Sequence, residues 1–345
     1  MSAHPKMRIG LIGCGGIGSL RARALARGSA GALVSVADLD SVRSAALAAT
    51  TSAKAHSDWR ALVEQRDVEA VIVSTPPHLH AEMCIAALEA GKHVLCEKPL
   101  ARTPEECRAV VATAERAIRY LATGFNYRFY PSIEKARQLL DSGAIGALDH
   151  IRSYTGYSAQ EHSQPWLHDA GIMGGGALRD NGIHLIDLTR YFLGDVAEVR
   201  GFGSNGVWAF DGCEDNGFAL LRSAAGHIAS LQASWTEWRG YRLRIEIYGT
   251  LGCIRTWCFP MLTELVSSTS RGGRMKRRIS PFLRTFIGEH LRSYRWVVVE
   301  SFIKELDAFA RATRGEASRV ATGVDGLRAV EIAHAAATGT CARLQ

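Results

Sequence analysis

Six residues near the start of the chain, Gly13-Cys14-Gly15-Gly16-Ile17-Gly18, constrain the fold more than any other stretch. They follow an apolar run, Met7 to Ile12, and precede Ser19 to Arg27, a segment rich in good helix formers. Strand, tight glycine turn, helix is the order that a pyrophosphate-binding turn requires. Gly13 permits the sharp turn, Gly15 lets the backbone approach a phosphate with no Cβ in the way, and Gly18 lets the helix pack on the strand. The helix N-terminus adds free N–H groups and roughly half a positive charge for the anion. Glycine is 34 of 345 residues, so the spacing alone would equally describe a βαβ turn with no ligand. The flanking segments decide. A second apolar run, Ala32 to Ala37, ends in Asp38, where a carboxylate accepts hydrogen bonds from ribose hydroxyls and repels a 2′-phosphate. The segment is expected to bind a dinucleotide, NAD(H) in preference to NADP(H), a preference that nearby Arg43 softens.

Beyond the turn, strand-like runs at 7–12, 32–37, 70–74 and 93–96 alternate with helical patterns at 17–28, 41–50, 58–65, 79–90 and 104–117. A further strand near Tyr120 to Gly124 closes the set. Such alternation predicts a doubly wound parallel sheet, a Rossmann unit over residues 1–123. The remainder, 124–345, reads as an α+β domain. Its strand-like segments at 147–157, 196–208, 216–223, 226–235 and 241–248 follow one another with few helices between, which favours an open, mostly antiparallel sheet. Helical patterns flank them at 131–141 and 180–193. Two more, 297–314 and 323–337, finish the chain and are candidates to pack back on the first domain.

Composition limits the function class. The apolar share is 47% and the charged share 22%, ordinary for a globular protein. No run reaches the roughly 18 apolar residues of a membrane span. The N-terminal apolar stretch runs straight into the glycine turn and does not resemble a signal peptide, so a cytoplasmic location is expected. Eight scattered cysteines lack C-x-x-C spacing and nearby histidines, which points to reduced thiols and no metal. The formal charge of +7 is concentrated in residues 271–295. That segment holds Arg271, Arg274, Lys276, Arg277, Arg278, Arg284, Arg292 and Arg295 against one acid, Glu289.

Three clusters outside the turn carry chemistry. Ser74-Thr75-Pro76-Pro77-His78-Leu79-His80 follows a buried-type strand, and its prolines fix a turn at the strand's carboxyl end, where open α/β sheets bind ligands. A purely capping loop with His80 on a helix surface is the alternative. Glu97-Lys98-Pro99 ends the next strand. Lys98 there can hydrogen-bond a reacting hydroxyl and stabilise alkoxide character as hydride leaves, or it can be a surface lysine paired with Glu97. In Gly174-Gly175-Gly176-Ala177-Leu178-Arg179-Asp180-Asn181-Gly182-Ile183-His184, a helix beginning near Asp180 would put Asp180 and His184 on one face. An imidazole suits proton abstraction near neutrality. The bland reading keeps Asp180 as a helix cap and His184 as a core residue.

Taken together, these clusters and Gly124-Phe125-Asn126-Tyr127-Arg128-Phe129 resemble the Gfo/Idh/MocA family of sugar and cyclitol oxidoreductases, over residues 7 to about 255 and again in the last two helices. The resemblance implies a Rossmann domain followed by an open-sheet domain whose face forms the substrate floor and often a subunit interface. It also implies a catalytic set of Lys98, Asp180 and His184. In that scheme His184 accepts the hydroxyl proton, Lys98 polarises the same oxygen, and Asp180 positions the sugar or the histidine. The cofactor is expected against Gly13, Gly15, Gly16, Ile17, Gly18, Asp38, Ser74, Thr75, Pro76, His80, Glu97 and Lys98, with no metal.

Substrate contacts are expected from Arg128, Arg152, Tyr154, Trp166, Asp180, His184 and Trp235, with His162, Asp169, Trp238 and Arg239 as further candidates. Aromatic faces against C–H groups, with Arg and Asp on hydroxyls, suit a polyol. The activity these features predict is NAD-dependent oxidation of a secondary hydroxyl of a sugar, amino-sugar glycoside, nucleotide-sugar or cyclitol, in a homodimer or homotetramer. An NAD-using, redox-neutral glycosidase and a non-catalytic dinucleotide-binding regulator are the alternatives. The basic stretch 271–295 reads as an amphipathic excursion, either near the pocket mouth attracting an anionic substrate or a solvated loop or subunit contact. With no nucleic-acid module beside it, nucleic acid is not an expected partner, nor is a membrane.

Overall fold

The computed structural model describes residues 6–161, 164–283, 285, 287–288 and 295–343. The chain divides into two compact units, Met1–Asn126 with Arg292–Arg328, and Tyr127–Leu291 with Ala329–Gln345.

The first unit holds the βα alternation read from the sequence: β1 (Met7–Ile12), α1 (Gly16–Arg27), β2 (Gly31–Ala37), α2 (Ser41–Thr51), β3 (Lys54–His56), α3 (Trp59–Val63), β4 (Ala70–Val73), α4 (His80–Glu89), β5 (His93–Glu97), α5 (Pro104–Ala117) and β6 (Leu121–Gly124). The strands form one parallel sheet in the order β3-β2-β1-β4-β5-β6. β4 is buried at every position, because a parallel sheet covered on both faces demands apolar residues throughout. Local chemistry starts the helices. Asp40 caps α2 through the Val42 and Arg43 amides, and Thr103 with Glu106 forms a capping box at α5 behind Pro104. The three-residue β3 is too short to register as a period in the sequence. The long helix Arg295–Thr313 also counts with this unit; the sequence boundary put it in the second domain as a candidate to pack back on the first.

The second unit contains α6 (Pro131–Asp141), β7 (Leu148–Gly156), α7 (Ala170–Met173), α8 (Gly182–Leu193), β8 (Val196–Ser204), β9 (Asn216–Ser223), β10 (Ile228–Ser234), β11 (Arg242–Gly249), β12 (Gly252–Cys258), β13 (Met261–Ser267), β14 (Lys276–Pro281) and β15 (Ala342–Arg343). They build a nine-stranded sheet in the order β14-β13-β12-β11-β7-β10-β9-β8-β15, antiparallel except for the β7–β10 pair. α8 packs on β7 and β10, and α6 on β12 and β13. The opposite face is open: Phe202, Phe218, Leu220 and Ile228 project from it with about half or more of their surface exposed. Of the helix Gly323–Thr338, residues to Arg328 count with the first unit and the rest with the second.

The basic stretch differs from the sequence expectation. Lys276–Pro281 is an edge strand paired with β13, and Arg277 meets Glu264 across that pair. Basic residues on an edge strand discourage further strand addition. Arg284, Phe286, Glu289, Leu291 and Arg292 lie outside the described residues, as does His162. Among the described residues no helix is long and apolar enough to cross a membrane.

Candidate active site

The residues expected to hold the dinucleotide lie in the first unit. α1 begins at Gly16, directly after the turn, with Gly15 as N-cap. A Cβ on Gly13 would stand 2.6 Å from the Ser74 carbonyl oxygen, and one on Gly18 would stand 1.9 Å from that of Gly13. These two glycines let strand, turn and helix close on one another. Gly15 and Gly16 are different: a Cβ on either meets nothing within 4 Å. Backbone left open at a helix N-terminus is the cradle that a pyrophosphate needs. Ile17 is 44% exposed beside it.

Asp38 directly follows β2 and does more than wait for a ribose. Its carboxylate accepts hydrogen bonds from the Cys14 amide (2.7 Å) and the Asp40 amide (2.9 Å), tying the strand end to the glycine turn. Burial, and then Asp38, push the Cys14 thiol up to about 12, so it is an inert filler. Arg43 pairs with Asp40 at 3.1 Å. At the end of β4, Ser74 Oγ and His78 Nδ1 are buried and have no hydrogen-bond partner among the described residues. The Ser74 carbonyl abuts Gly13, so the unsatisfied Ser74 hydroxyl lies near the open backbone, an arrangement that fits a bound dinucleotide.

Two expected cofactor residues are engaged elsewhere. His80 is fully buried, with Nδ1 2.8 Å from the Pro99 carbonyl oxygen and Nε2 2.7 Å from that of Thr75. It ties the Thr75 loop to the Glu97-Lys98-Pro99 turn and presents no atom to a ligand. Burial lowers its pKa despite both carbonyls. Glu97 bonds to Arg21 at 2.7 Å. Lys98 itself is half-buried at the carboxyl end of β5.

The second unit supplies the carboxylate and the imidazole. α8 starts at Gly182 with Asn181 as N-cap, so Asp180 precedes the helix and does not share a helical face with His184 as the spacing suggested. A glycine is needed at 182 because a Cβ there would lie 2.7 Å from that of Ala233 on β10. Asp180, 6% exposed, accepts hydrogen bonds from Tyr157 Oη and from Trp235 Nε1, the latter at 3.2 Å. It is oriented by these two side chains, and the N-cap of α8 is Asn181. His184, 7% exposed, stacks on Tyr127 with ring centroids 4.1 Å apart and planes 6° apart. Tyr127 Oη reaches Tyr241 Oη at 3.3 Å, and the Tyr241 ring lies 5.7 Å from Tyr157. A continuous chain of aromatic contacts thus runs from His184 to Asp180. Burial pushes the phenols of Tyr127, Tyr157 and Tyr241 above their ordinary range, and Asp180 adds to the shift at Tyr157. They stay neutral and act as hydrogen-bond donors.

Other expected substrate residues separate. Arg128 is buried in a bidentate pair with Asp187, at 2.9 and 2.5 Å, which anchors α8 one turn beyond His184. Trp235 is fully buried and backs Asp180. Arg152 and Tyr154 alternate with Ser153, which bonds to Thr189 of α8. Successive strand residues face opposite ways, so Arg152 and Tyr154 point to the open side of the sheet, where Arg152 bonds to Tyr248 Oη at 2.5 Å. Trp166 is half-buried in a 3₁₀ turn, Pro165–His168. Asp169 caps α7 through the Gly171 amide, and Trp238 and Arg239 are exposed. Glu214 went unnoticed in the sequence: it accepts the Gly176 and Leu178 amides, both at 2.8 Å, and shapes the glycine loop that delivers Asp180. Among the described residues no cluster could hold a metal.

Comparison with known proteins agrees with both halves. Residues 7–125 match the oxidoreductase family with an NAD-binding Rossmann fold, and residues 133–255 match the GFO/IDH/MocA C-terminal domain. The chain is 33% identical to inositol 2-dehydrogenase 2 of Saccharopolyspora erythraea over 98% of its own length and 96% of that protein. It is 35% identical to levoglucosan dehydrogenase of Pseudarthrobacter phenanthrenivorans over 57% of each chain. A solved structure of levoglucosan dehydrogenase in complex with NADH aligns over 99% of this chain and 100% of that one, with a TM-score of 0.87 and 26% identity.

Proposed function

Since this chain belongs to the Gfo/Idh/MocA family of NAD-binding oxidoreductases, we propose that it oxidises one secondary hydroxyl of a sugar, amino-sugar glycoside, nucleotide-sugar or cyclitol to a ketone, or runs the reverse reduction. NAD supplies the hydride acceptor when bound. The observation that carries this reading is the Asp180–His184 centre, a carboxylate and an imidazole joined by a continuous aromatic lining. His184 takes the hydroxyl proton, imidazole being the side chain most often used as a general base. Stacking on Tyr127 fixes the ring plane. Asp180, oriented by Tyr157 and Trp235, accepts a substrate hydroxyl. Lys98 polarises the reacting oxygen and offsets the charge that develops as its proton leaves.

The apolar residues on the open sheet face support a homo-oligomer, dimer or tetramer. Eight unbridged cysteines, seven of them buried, support a reducing, cytoplasmic setting.

The test is NADH formation across a panel of free, phosphorylated and nucleotide-linked sugars and cyclitols. At least one is expected to give stoichiometric NADH. His184→Ala should lower kcat by about 10²-fold or more while NADH affinity is retained. Release of free sugar without net NADH would replace this reading by a redox-neutral glycosidase, and cofactor binding with no turnover of any kind would leave only a regulator.

A further inference from the structure

Arg21 is the second-largest fully buried side chain of the described residues, with no exposed surface. It sits on α1, three residues after Gly18. Its guanidinium binds two carboxylates at once: Glu97 at the end of β5, at 2.6–2.7 Å, and the wholly buried Glu305 of the helix Arg295–Thr313. The Phe302 ring lies 3.7 Å from its Cζ. Gly124, beside Glu97 in the parallel pairing of β6 with β5, leaves the space: a Cβ there would stand 2.8 Å from Arg21 Nη2 and 3.0 Å from Glu97 Oε2. One turn earlier on the same long helix, Ser301 receives Asn126 Nδ2 at 2.8 Å.

As a stabilising device this cluster is extravagant. Burying charged groups in this way is costly, and apolar residues of similar volume commonly serve stability as well. What the arrangement secures is direction. A guanidinium fork set between two carboxylates, under a ring and against a glycine, is confined on every one of these sides, and Glu97 is held by it. Glu97 is the residue before Lys98.

We propose that Arg21 is a positioning residue for hydride transfer: through Glu97 it fixes the end of β5, and with it the placement of Lys98. The proposal rests on Lys98 acting at the reacting oxygen. Arg21 itself touches neither substrate nor cofactor in this scheme. Arg21→Met leaves the Glu97 carboxylate without its clamp, free to swing towards the neighbouring lysine. Arg21→Met/Glu97→Gln removes the freed charge as well.

The experiment compares Lys98→Met, Arg21→Lys, Arg21→Met and the double variant in the full-length enzyme. It measures kcat, KM for NAD and for the sugar, the melting temperature, and the primary deuterium isotope effect on kcat with substrate labelled at the oxidised carbon. A misplacement of about 1 Å can cost roughly 10²-fold in rate. Arg21→Met is therefore expected to lose about 10- to 100-fold in kcat, with a larger isotope effect and KM for NAD within about threefold of the parent. Arg21→Lys, which keeps the charge but not the fork, should fall between, and it carries the test if Arg21→Met does not fold. The double variant should recover at least half of the logarithmic loss. A lower melting temperature with kcat and isotope effect unchanged would overturn the proposal and leave Arg21 as a fold stabiliser. Near-normal turnover in Lys98→Met would instead overturn the role of Lys98, and the proposal with it.

Discussion

Gly15→Ala separates binding from folding in the glycine turn. Gly15 has φ −68° and ψ −161°, a conformation open to any L-residue, and its Cβ would meet no protein atom within 4 Å. Two small terms act on stability. Restricting the unfolded chain favours alanine by about 0.4–1 kcal/mol, whereas the N-cap position prefers glycine to alanine by a similar amount. They cancel to within about 1 kcal/mol, so the melting temperature of the cofactor-free protein should stay within roughly 4 °C of the parent. Binding has no such compensation. The methyl occupies the space in which a phosphate oxygen would meet the backbone amides. A hydrogen bond to a charged group contributes about 1.5–3 kcal/mol, which corresponds to roughly ten- to a hundredfold weaker NADH binding. Fluorescence titration of NADH and a thermal melt without cofactor read the two quantities separately. Gly18→Ala is the contrast: its Cβ would lie 1.9 Å from the Gly13 carbonyl oxygen, so that variant should lose stability first. Parental NADH affinity in Gly15→Ala, together with a melting temperature many degrees lower, would refute the assignment of this backbone as the phosphate cradle.

Asp38→Ala should weaken NAD and narrow its advantage over NADP. Because Asp38 also holds the Cys14 amide, Asp38→Asn, which keeps an acceptor, should retain more affinity; the ratio of kcat/KM for NAD and NADP checks both. Tyr157→Phe removes a donor to Asp180 and leaves Trp235 as the remaining named one. We expect a fall of about tenfold in kcat/KM for the sugar, from loss of a hydrogen bond to a charged group, with NADH affinity unchanged. Burial holds the His80 pKa below its ordinary value, so the unfolded chain binds a proton that the folded one refuses. The stability this gives is present above pH ~6.5 and lost as pH falls towards the depressed value, at up to about 1.4 kcal/mol per pH unit. Denaturant titrations between pH 5 and 8 should show a shallower slope in His80→Gln.

What could be read from the sequence was whatever repeats within a dozen residues. The parallel sheet announced itself through uninterrupted apolar strands, and the glycine turn through its immediate neighbours. β12, β13 and β14 did not, because each carries charge in mid-strand. Arg255 is satisfied by Glu264 directly opposite it on β13, at 2.8 Å, and Glu264 in turn receives Arg277 from β14. A linear pattern shows the charges and hides the pairing that makes them tolerable.

The same limit explains the site. Asp180 and His184 were conspicuous as residue types, but their helical spacing was misleading, since α8 begins only at Gly182. What orients Asp180 comes from 23 and 55 residues away, and what clamps Arg21 comes from 76 and 284 residues away. Residues such as Arg128, His80 and Glu97 look like ligand contacts in a string because polar side chains there have no visible partner. In the fold, Asp187, two backbone carbonyls and Arg21 claim them. A buried polar group must be paired by something, so the motif residues sort by who claims them. Those held by the protein build the frame. Ser74, whose carbonyl abuts Gly13, keeps a buried hydroxyl that no described residue satisfies, as a residue on the cofactor side would.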